Sequence, residues 1–428
     1  MLRLVSRSSR KVVSVKSIVI LGAGTGGTLV ANRLRRELAR GDVRIVCVDH
    51  DDRHIYQPGL LFVPFGMAHP EDIVRSRKAQ LHGGIEFRLD DIERVDIAEN
   101  TVHLASGEAL DYDVLVVASG AVLSPEETEG LSPWPERVYS YYTLEAATAL
   151  ESALTLFEGG RIVVNLIEMP IKCPVSPLEF CFLADSYFHE RGVRDRVSLT
   201  YVTPLDAAFT KPISSRHLGG MLAERHVEMV TEFNTARVDG PAGKLVSYDE
   251  REVAFDLAVV IPAHSGAHYV TRSPGLGDAL GFIDADPHSL QARAADNVFV
   301  IGDAAGVPTS KAGSVTHFEG EVVVRNVVSR LRGEMVEASF DGHSNCFIET
   351  GFSKAMLIDF NYDVEPETGH FPGPVGMPLL KETRLNHLGK LMFQWLYWHV
   401  LLAGREIPGV SGAMPLAGKR AETQEVST

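Results

Sequence analysis

The stretch Ser17-Ile-Val-Ile-Leu-Gly-Ala-Gly-Thr-Gly-Gly-Thr-Leu-Val-Ala-Asn-Arg-Leu34 decides the fold of this 428-residue chain. Its apolar start has the length and composition of a buried parallel strand. Gly22, Gly24 and Gly27 follow in the spacing G-x-G-x-x-G, and apolar residues then recur at helical spacing. In this fingerprint the first glycine permits a tight turn, the second lets a pyrophosphate approach the backbone, and the third lets the helix pack on the strand. The stretch therefore predicts a strand–turn–helix unit whose helix N-terminus binds the phosphates of a dinucleotide.

Three further segments extend this unit. A second strand, Arg44–Asp49, ends in an acid 22 residues beyond the last glycine, where a carboxylate would bond the ribose hydroxyls. The strand Asp113–Val117 runs into small residues, and the strand Asn297–Ile301 ends in a Gly-Asp pair before more small residues. These segments resemble those of two-dinucleotide-binding-domain flavoproteins. The resemblance implies bound FAD, held by Gly22, Gly24, Gly27, Asp49, Ser119, Gly120, Gly302 and Asp303, with Asp303 on the ribityl chain.

The middle of the chain lacks the second glycine fingerprint that binds NAD(P)H. The strand Gly160–Ile167 is followed by Glu168-Met-Pro-Ile-Lys-Cys-Pro-Val-Ser-Pro-Leu-Glu179, which contains no glycine. Its prolines each remove an N–H donor, so the backbone is poorly suited to bind a pyrophosphate. Nicotinamide binding is therefore disfavoured, and another reductant is expected to reduce the flavin.

Four cysteines are too few for a disulfide framework in a chain of this length, so each is judged by its surroundings. Cys47 lies inside a strand and Cys181 lies between two phenylalanines, so both are predicted to be core residues. Cys173 follows a lysine where a helix is predicted to begin, which predicts a depressed thiol pKa. Cys346 opens a probable strand.

The combination resembles sulfide:quinone oxidoreductases and, more distantly, the flavoprotein subunits of flavocytochrome c sulfide dehydrogenases. The matching segments are Lys172-Cys-Pro-x-x-Pro-Leu-Glu179, Pro308-Thr-Ser-Lys-Ala-Gly313, and Cys346 followed by Lys354-Ala-Met-Leu-Ile-Asp-Phe-Asn-Tyr362. The resemblance implies a redox-active bridge between Cys173 and Cys346 beside the flavin. It also places Lys311 near the flavin and the quinone. Proton carriers are left open among Tyr142, Glu168 and His317.

The sequence departs from this family in one cysteine. Many members carry a third cysteine before the first of the bridge pair, and Ala118-Ser-Gly-Ala-Val-Leu-Ser-Pro125 contains none. Covalent attachment of the flavin through that cysteine is therefore not expected. A histidine that some members carry after the next strand is not evident in Pro204–Phe209 either.

Charge and hydropathy exclude other classes of protein. A net charge of −15 opposes binding to nucleic acid. The first sixteen residues are basic and contain no apolar core of a secretory signal, so they are a basic extension or a transit peptide.

No stretch reaches the roughly 18–20 apolar residues that a membrane-spanning helix needs. The segment Leu379–Gly404 is instead interpreted as a monotopic anchor, with Phe393, Trp395, Tyr397 and Trp398 at the headgroups and Lys381, Arg384 and Lys390 facing anionic lipid. A C-terminal dimerisation helix is the competing interpretation.

The predicted architecture is α/β, with two Rossmann-like dinucleotide-binding domains, the second inserted in the first, and a small C-terminal region that associates with membranes. Residues 17–125 and 290–330 form the predicted FAD domain, 126–289 the second domain, and 331–428 the cap and anchor. The expected substrates are sulfide and a quinone, without a metal and with a homo-oligomer left open. Alternatives are an NADH:quinone oxidoreductase of the same fold, a flavocytochrome-type sulfide dehydrogenase subunit, and a non-catalytic redox sensor.

Overall fold

The computed structural model describes residues 15–407 and 410–420. Nearly all of the basic N-terminal segment, residues 1–14, lies outside the described residues, so its prediction as an extension or transit peptide stays a prediction. Within the described residues the α-helices are Thr25–Glu37 (α1), Arg77–Gln80 (α2), Leu144–Leu156 (α3), Ser176–Glu190 (α4), Pro212–Glu224 (α5), His268–Thr271 (α6), Gly313–Arg332 (α7) and Arg384–Leu396 (α8).

The first sheet contains the strand that the opening stretch predicts. In spatial order its five parallel strands are Val298–Val300, Val114–Val117, Lys16–Leu21, Val43–Asp49 and Glu86–Leu89. The central strand is apolar on both faces because both are covered. Ile18 and Ile20 pack in the core that contains residues of α1 and α7. Val19 and Leu21 pack in a second core on the other side.

The second sheet repeats the parallel arrangement later in the chain. Its strands, in spatial order, are Val138–Tyr139, Leu257–Ile261, Gly160–Leu166, Val197–Val202 and Val227–Val230. α4 follows the central strand Gly160–Leu166 after a nine-residue loop that contains Cys173, so this loop lies at the carboxyl end of the sheet. Ligands of open α/β sheets bind at that end of the strands.

Short antiparallel sheets decorate this framework. Among the described residues, three of these sheets have three strands: Ile92–Asp96, Thr101–Leu104 and Ala109–Asp111; Thr235–Asp239, Lys244–Ser247 and Glu252–Ala254; and Met377–Leu379, Thr368–Phe371 and Lys419–Arg420. Three more are two-stranded pairs: Arg53–Ile55 with Val74–Ser76; Ala121–Leu123 with His264–Gly266; and Ser344–Gly351 with Lys354–Phe360. We call the last pair the cysteine hairpin, because Cys346 lies on its first strand.

Residues 267–285 pack on the first sheet rather than on the second. Tyr269, Val270, Leu276 and Ile283 share one core with Val19 of the first sheet. The chain therefore returns to the first unit soon after the strand Leu257–Ile261, which is earlier than residue 290.

α8 has its apolar side outward and its polar side inward. Leu385, Leu388, Met392 and Trp395 recur at helical spacing and are exposed, with Leu388 at 61% and Trp395 at 58%. Asn386 and Lys390, on the other side, are buried. Across the described residues, no helix combines the length and apolarity that crossing a membrane requires.

The prediction that Phe393, Trp395, Tyr397 and Trp398 lie at the lipid headgroups is wrong in part. Tyr397 and Trp398, in the π-helical turn Tyr397–Leu401, are only 2% and 4% exposed because they pack inside the main core of the second unit. Phe393 is partly buried against the same core. The prediction that Lys390 meets anionic lipid is also wrong, because its ammonium is paired with a carboxylate inside the protein. Of the residues predicted to face lipid, Trp395, Lys381 and Arg384 are exposed.

Candidate active site

A cavity of about 780 Å³ brings the predicted site residues together. It runs from the glycine turn of the first sheet to the loop after the strand Gly160–Leu166 and to the cysteine hairpin. Its lining contains every residue predicted to bind FAD or to act in catalysis, except Gly27: Gly22, Gly24, Asp49, Ser119, Gly120, Cys173, Gly302, Asp303, Lys311 and Cys346.

The glycine turn has the geometry that a pyrophosphate needs. A Cβ on Gly27 would lie 1.8 Å from the Gly22 carbonyl oxygen, which explains why this glycine packs under the turn and does not line the cavity. Gly22 has φ +96°, and a Cβ there would lie 2.5 Å from the Ala118 carbonyl oxygen. A Cβ on Gly24 would meet nothing within 4 Å, so space is open beside the first N–H groups of α1. Those N–H groups have no partner inside the helix and suit an anion.

Asp49 lies at the nucleotide end of the cavity, as predicted. Its carboxylate accepts hydrogen bonds from the Ala23 N–H at 2.6 Å and from its neighbour's N–H at 2.8 Å. It also forms an ion pair with Arg77, a cavity residue that the sequence analysis did not select. Each carboxylate oxygen accepts more than one hydrogen bond, so the acid can still accept from ribose hydroxyls.

Lys311 supports the Gly-Asp segment. Its ammonium donates to the carbonyl oxygens of Asp303 at 2.7 Å and Ala305 at 3.0 Å, and it lies 4.3 Å from the centre of the Phe282 ring. Burial lowers the pKa of Lys311, and the charge of Asp303 opposes that change. Burial raises the pKa of Asp303, whereas the charges of Lys311 and Lys172 lower it. Lys311 therefore fixes the loop that carries Asp303 and has one N–H left for the cavity.

Cys173 does not lie at a helix N-terminus, contrary to the sequence prediction. α4 begins at Ser176, and Cys173 has a left-handed backbone conformation (φ 49°) in the preceding turn. Its N–H donates to the Lys311 carbonyl oxygen at 2.7 Å, which ties the cysteine loop to the lysine loop. The predicted depression of the thiol pKa is also wrong for this structure. Burial raises the pKa of Cys173 well above its usual range, nearby Glu179 adds to the effect, and Lys390 opposes it.

Cys346 lines the same cavity from the cysteine hairpin. Burial raises the pKa of its thiol to about 12, while a hydrogen bond with Ser314 at the start of α7 lowers it. Glu179 and Lys390 act electrostatically on both thiols, so the two cysteines share one environment. All four cysteines are free thiols in this structure, and Cys47 and Cys181 are buried in the core, as predicted.

A buried charge cluster beside the two thiols was missed by the sequence analysis. The Lys390 ammonium is paired with Glu179 and donates to the Phe347 carbonyl oxygen at 3.3 Å. Glu349 lies next to this pair and is 2.5 Å from His387 Nδ1. Burial alone would lower the pKa of Lys390, but the two carboxylates outweigh it, so the pKa is raised. The raised pKa favours the charged form of Lys390, which acts electrostatically on both thiols.

The three suggested proton carriers lie in different places. Tyr142 lines the cavity, and its hydroxyl donates to the Lys172 carbonyl oxygen at 2.9 Å. Glu168 is exposed to solvent. His317 is buried outside the cavity lining, and burial beside Arg33 lowers its pKa to about 3. Of the three, only Tyr142 borders the cavity.

The cavity fits FAD. Its volume is in the range of cofactor pockets, its glycine end offers open space and free N–H groups to a pyrophosphate, and its other end carries two thiols and fixed cations. The donors and acceptors therefore match the phosphate, ribose and ring parts of the cofactor. When bound, FAD supplies two-electron chemistry that no side chain provides.

Comparison with known proteins identifies this fold. A family model described as pyridine nucleotide-disulphide oxidoreductase matches residues 16–165. The fold is that of these oxidoreductases, and the chain is an FAD-dependent oxidoreductase.

The chain is also similar to individual sulfide:quinone oxidoreductases. The chain is 28% identical over 408 residues to the mitochondrial sulfide:quinone oxidoreductase of Dictyostelium discoideum, an alignment that covers 93% of this chain and 88% of that protein. It is 27% identical to the mouse mitochondrial sulfide:quinone oxidoreductase, covering 90% and 86%. The solved structure of the sulfide:quinone oxidoreductase from Aquifex aeolicus superposes with a TM-score of 0.77 at 21% identity, covering 91% and 92% of the two chains. The chain is thus homologous to sulfide:quinone oxidoreductases over most of its length, and the predicted resemblance is confirmed.

Proposed function

We propose that this protein oxidises sulfide to polysulfide or sulfur and passes the two electrons through FAD to a quinone. The observation that carries the proposal is that Cys173 and Cys346, which are far apart in sequence, line the FAD cavity and share the charges of Glu179 and Lys390. The names of the homologues describe the same reaction.

The proposed chemistry begins with a disulfide between Cys173 and Cys346. Hydrosulfide attacks one sulfur, the S–S bond breaks, and the products are a persulfide on one cysteine and a thiolate on the other. A second hydrosulfide then attacks the outer sulfur of the persulfide, and the S–S bond breaks to release HSSH, the shortest polysulfide, and a second thiolate. Reoxidation of the two thiolates to the disulfide gives up two electrons. FAD, held by the glycine turn, Asp49 and the Asp303 loop, would supply the two-electron chemistry that links this reoxidation to reduction of the quinone, which needs two protons to form the quinol. Because the thiols in this setting have raised pKa values, the thiolate product needs a nearby cation.

Two lysines have distinct proposed roles. Lys390 is the cation beside the sulfur atoms, and it stabilises the thiolate and persulfide electrostatically. Lys311 holds the Asp303 loop, and its remaining N–H would be available to the flavin ring or to a quinone oxygen. Both work as preorganised charges that need no rearrangement during turnover.

An NADH:quinone oxidoreductase is the main alternative that the fold allows. The loop where NADH would bind in relatives lacks glycine, and in this structure that loop delivers Cys173 to the cavity. A loop already used for a redox cysteine is poorly suited to bind a second pyrophosphate, so the sulfide reaction is favoured. No structural observation favours a flavocytochrome subunit or a non-catalytic sensor over it.

We further propose that the two parallel sheets are two Rossmann-like domains, the second inserted in the first. The second domain would end near residue 263, since the following segment packs on the first sheet. The site residues then come from both domains and from the C-terminal region, residues 331–420.

Peripheral attachment to a membrane is proposed through the exposed apolar side of α8. Leu385, Leu388, Met392 and Trp395 form this side, and exposed Lys381 and Arg384 lie near its start. Such a face is typical of helices that lie in the membrane interface, from which a quinone can enter the cavity.

The test measures sulfide-dependent quinone reduction in cysteine variants. Cys173→Ser and Cys346→Ser should each bind FAD normally and lose sulfide-dependent quinone reduction by at least a thousandfold. Cys181→Ala, which removes a buried cysteine outside the cavity, is the matched control and should retain activity. Near-normal turnover in either serine variant would exclude the bridge.

A further inference from the structure

The C-terminal segment forms part of the wall of the FAD cavity at the pyrophosphate end. The Tyr397 hydroxyl lies 2.7 Å from Thr25 Oγ1 and 2.6 Å from His54 Nε2. Thr25 is the first residue of α1 and follows Gly24, whose surroundings are open to the cavity. A residue 372 positions away in sequence therefore bonds the helix turn that faces the phosphates.

The same segment is fixed along one side of α1. The buried Asn32 side chain donates to the Leu402 carbonyl oxygen at 2.6 Å, and Arg36 Nε donates to the Ala403 carbonyl oxygen at 3.0 Å. Thr25, Asn32 and Arg36 are seven and four positions apart, so they lie on one face of the helix. The contacts of α1 with the C-terminal segment, residues 397–403, thus begin at the end of the helix that faces the phosphates and continue for three turns.

The hydroxyl contact is enclosed and uncharged. The Tyr397 ring packs 4.9 Å from the Tyr56 ring, and Tyr397 itself is almost fully buried. Burial lowers the pKa of His54 to about 4, so this histidine is neutral at pH 7. The three polar groups therefore form a short hydrogen-bonded chain that orients the Thr25 hydroxyl without adding charge.

We propose that Tyr397 is a positioning residue for FAD: it holds the N-terminus of α1 and the Thr25 side chain in place at the pyrophosphate, so that retention of the cofactor depends on the C-terminal segment. This role lies beyond the sulfide reaction and does not depend on it. Losing the hydroxyl leaves Thr25 free to turn away and loosens the helix end that meets the phosphates.

The experiment measures FAD release from the loaded protein. After dilution into cofactor-free buffer, the recovery of flavin fluorescence gives the release rate. Tyr397→Phe should release FAD about fivefold faster, the change that corresponds to one hydrogen bond of about 1 kcal/mol. Tyr248→Phe, which removes the hydroxyl of an exposed tyrosine outside the cavity, should release FAD at the wild-type rate.

A double-mutant cycle separates this role from a merely structural one. Thr25→Val should speed release, and the Thr25→Val/Tyr397→Phe variant should release FAD no faster than the faster single variant, because both remove the same bond. The melting temperature of the FAD-free protein should stay within about 2 °C of wild type in Tyr397→Phe. The proposal would be overturned if Tyr397→Phe released FAD at the wild-type rate, or if the effects of the two substitutions multiplied in the double variant. It would also be overturned if Tyr397→Phe destabilised the FAD-free protein as much as it weakened FAD binding. Sulfide bleaching per bound FAD reports separately on the proposed reaction.

Discussion

At the scale of single residues, the pKa of the Cys173 thiol depends on burial and on nearby charges more than on its position relative to a helix. The sequence analysis selected Cys173, which lines the cavity, but the inferred low thiol pKa assumed a helix that begins at the cysteine. The helix begins three residues later, and burial raises the pKa instead. The cation that offsets this burial is Lys390, 217 positions further along the chain, and no local pattern could connect them.

Lys390 is predicted to be needed for the sulfide step as well as for folding. Lys390→Met leaves Glu179 buried without its partner, which should lower the free energy of unfolding by about 3–5 kcal/mol. It should also slow sulfide-dependent bleaching, measured by rapid mixing, by at least tenfold. Lys381→Met, at an exposed lysine nearby, is the control.

A second variant separates the two effects. Glu179→Gln/Lys390→Met removes both charges and should recover most of the stability while bleaching stays slow. Wild-type bleaching in this double variant would show that Lys390 serves folding alone.

Glu319 is predicted to control how stability changes with pH. Burial raises the pKa of this carboxyl to about 7, and its Oε2 accepts from the Gly302 N–H at 2.7 Å. The folded protein therefore holds the proton more tightly than the unfolded chain, whose carboxyl has a pKa near 4.3. Stability from this group is present below about pH 4 and is lost as the pH rises to about 7, by about 4 kcal/mol at most.

Glu319→Gln should flatten that dependence while keeping an oxygen for the Gly302 bond. The measurement is the urea-induced unfolding of the FAD-loaded protein from pH 5 to pH 8. If the free energy of unfolding changed with pH equally in the wild type and the variant, the assignment to Glu319 would be contradicted.

At the scale of elements, the sequence predicted strands and the glycine turn well because their signals are local. Gly22 and Gly27 are needed for backbone contacts a few residues away or on the neighbouring strand. α8 was harder to interpret. The helical spacing of apolar residues indicates that α8 has one apolar and one polar side. It does not indicate that the polar side, with Asn386 and Lys390, faces the protein interior. The inward polar side results from carboxylates that other elements bring to it.

The exposed side of α8 is predicted to bind lipid. Leu388→Ser and Trp395→Ser should each weaken association with vesicles about tenfold, because each removes a large apolar side chain that would enter the interface. Co-sedimentation with liposomes measures this. Leu156→Ser, at the exposed end of α3, should have no effect. Unchanged sedimentation of both α8 variants would favour a dimer contact on this side.

Deleting the C-terminal region is a poor test of the same idea. Residues 397–403 bond α1 through Thr25, Asn32 and Arg36, so truncation would also damage the FAD site. Point substitutions on the exposed side avoid this problem.

At the scale of the whole molecule, one cavity joins the glycine turn, the Gly-Asp segment, the cysteine loop and the cysteine hairpin. The residues of the stretch Ser17–Leu34 were sufficient to predict the end of the cavity that lies beside the glycine turn. The approach of Cys173 and Cys346 was implied only by the family resemblance, since two residues that lie 173 positions apart in sequence give no physical reason to expect contact. The buried cluster of Lys390, Glu179 and Glu349 depends on the packed tertiary structure and had no sequence signal.

The central claim is that sulfide, and not NADH, reduces the bound flavin. The most direct measurement is an anaerobic titration of the purified FAD-loaded protein, with flavin absorbance followed during addition of sulfide and, separately, of NADH. We predict that sulfide bleaches the flavin, that a short-chain quinone restores the absorbance, and that NADH has no effect. Bleaching by NADH, with sulfide inert, would contradict the account and leave Cys173 and Cys346 as structural residues.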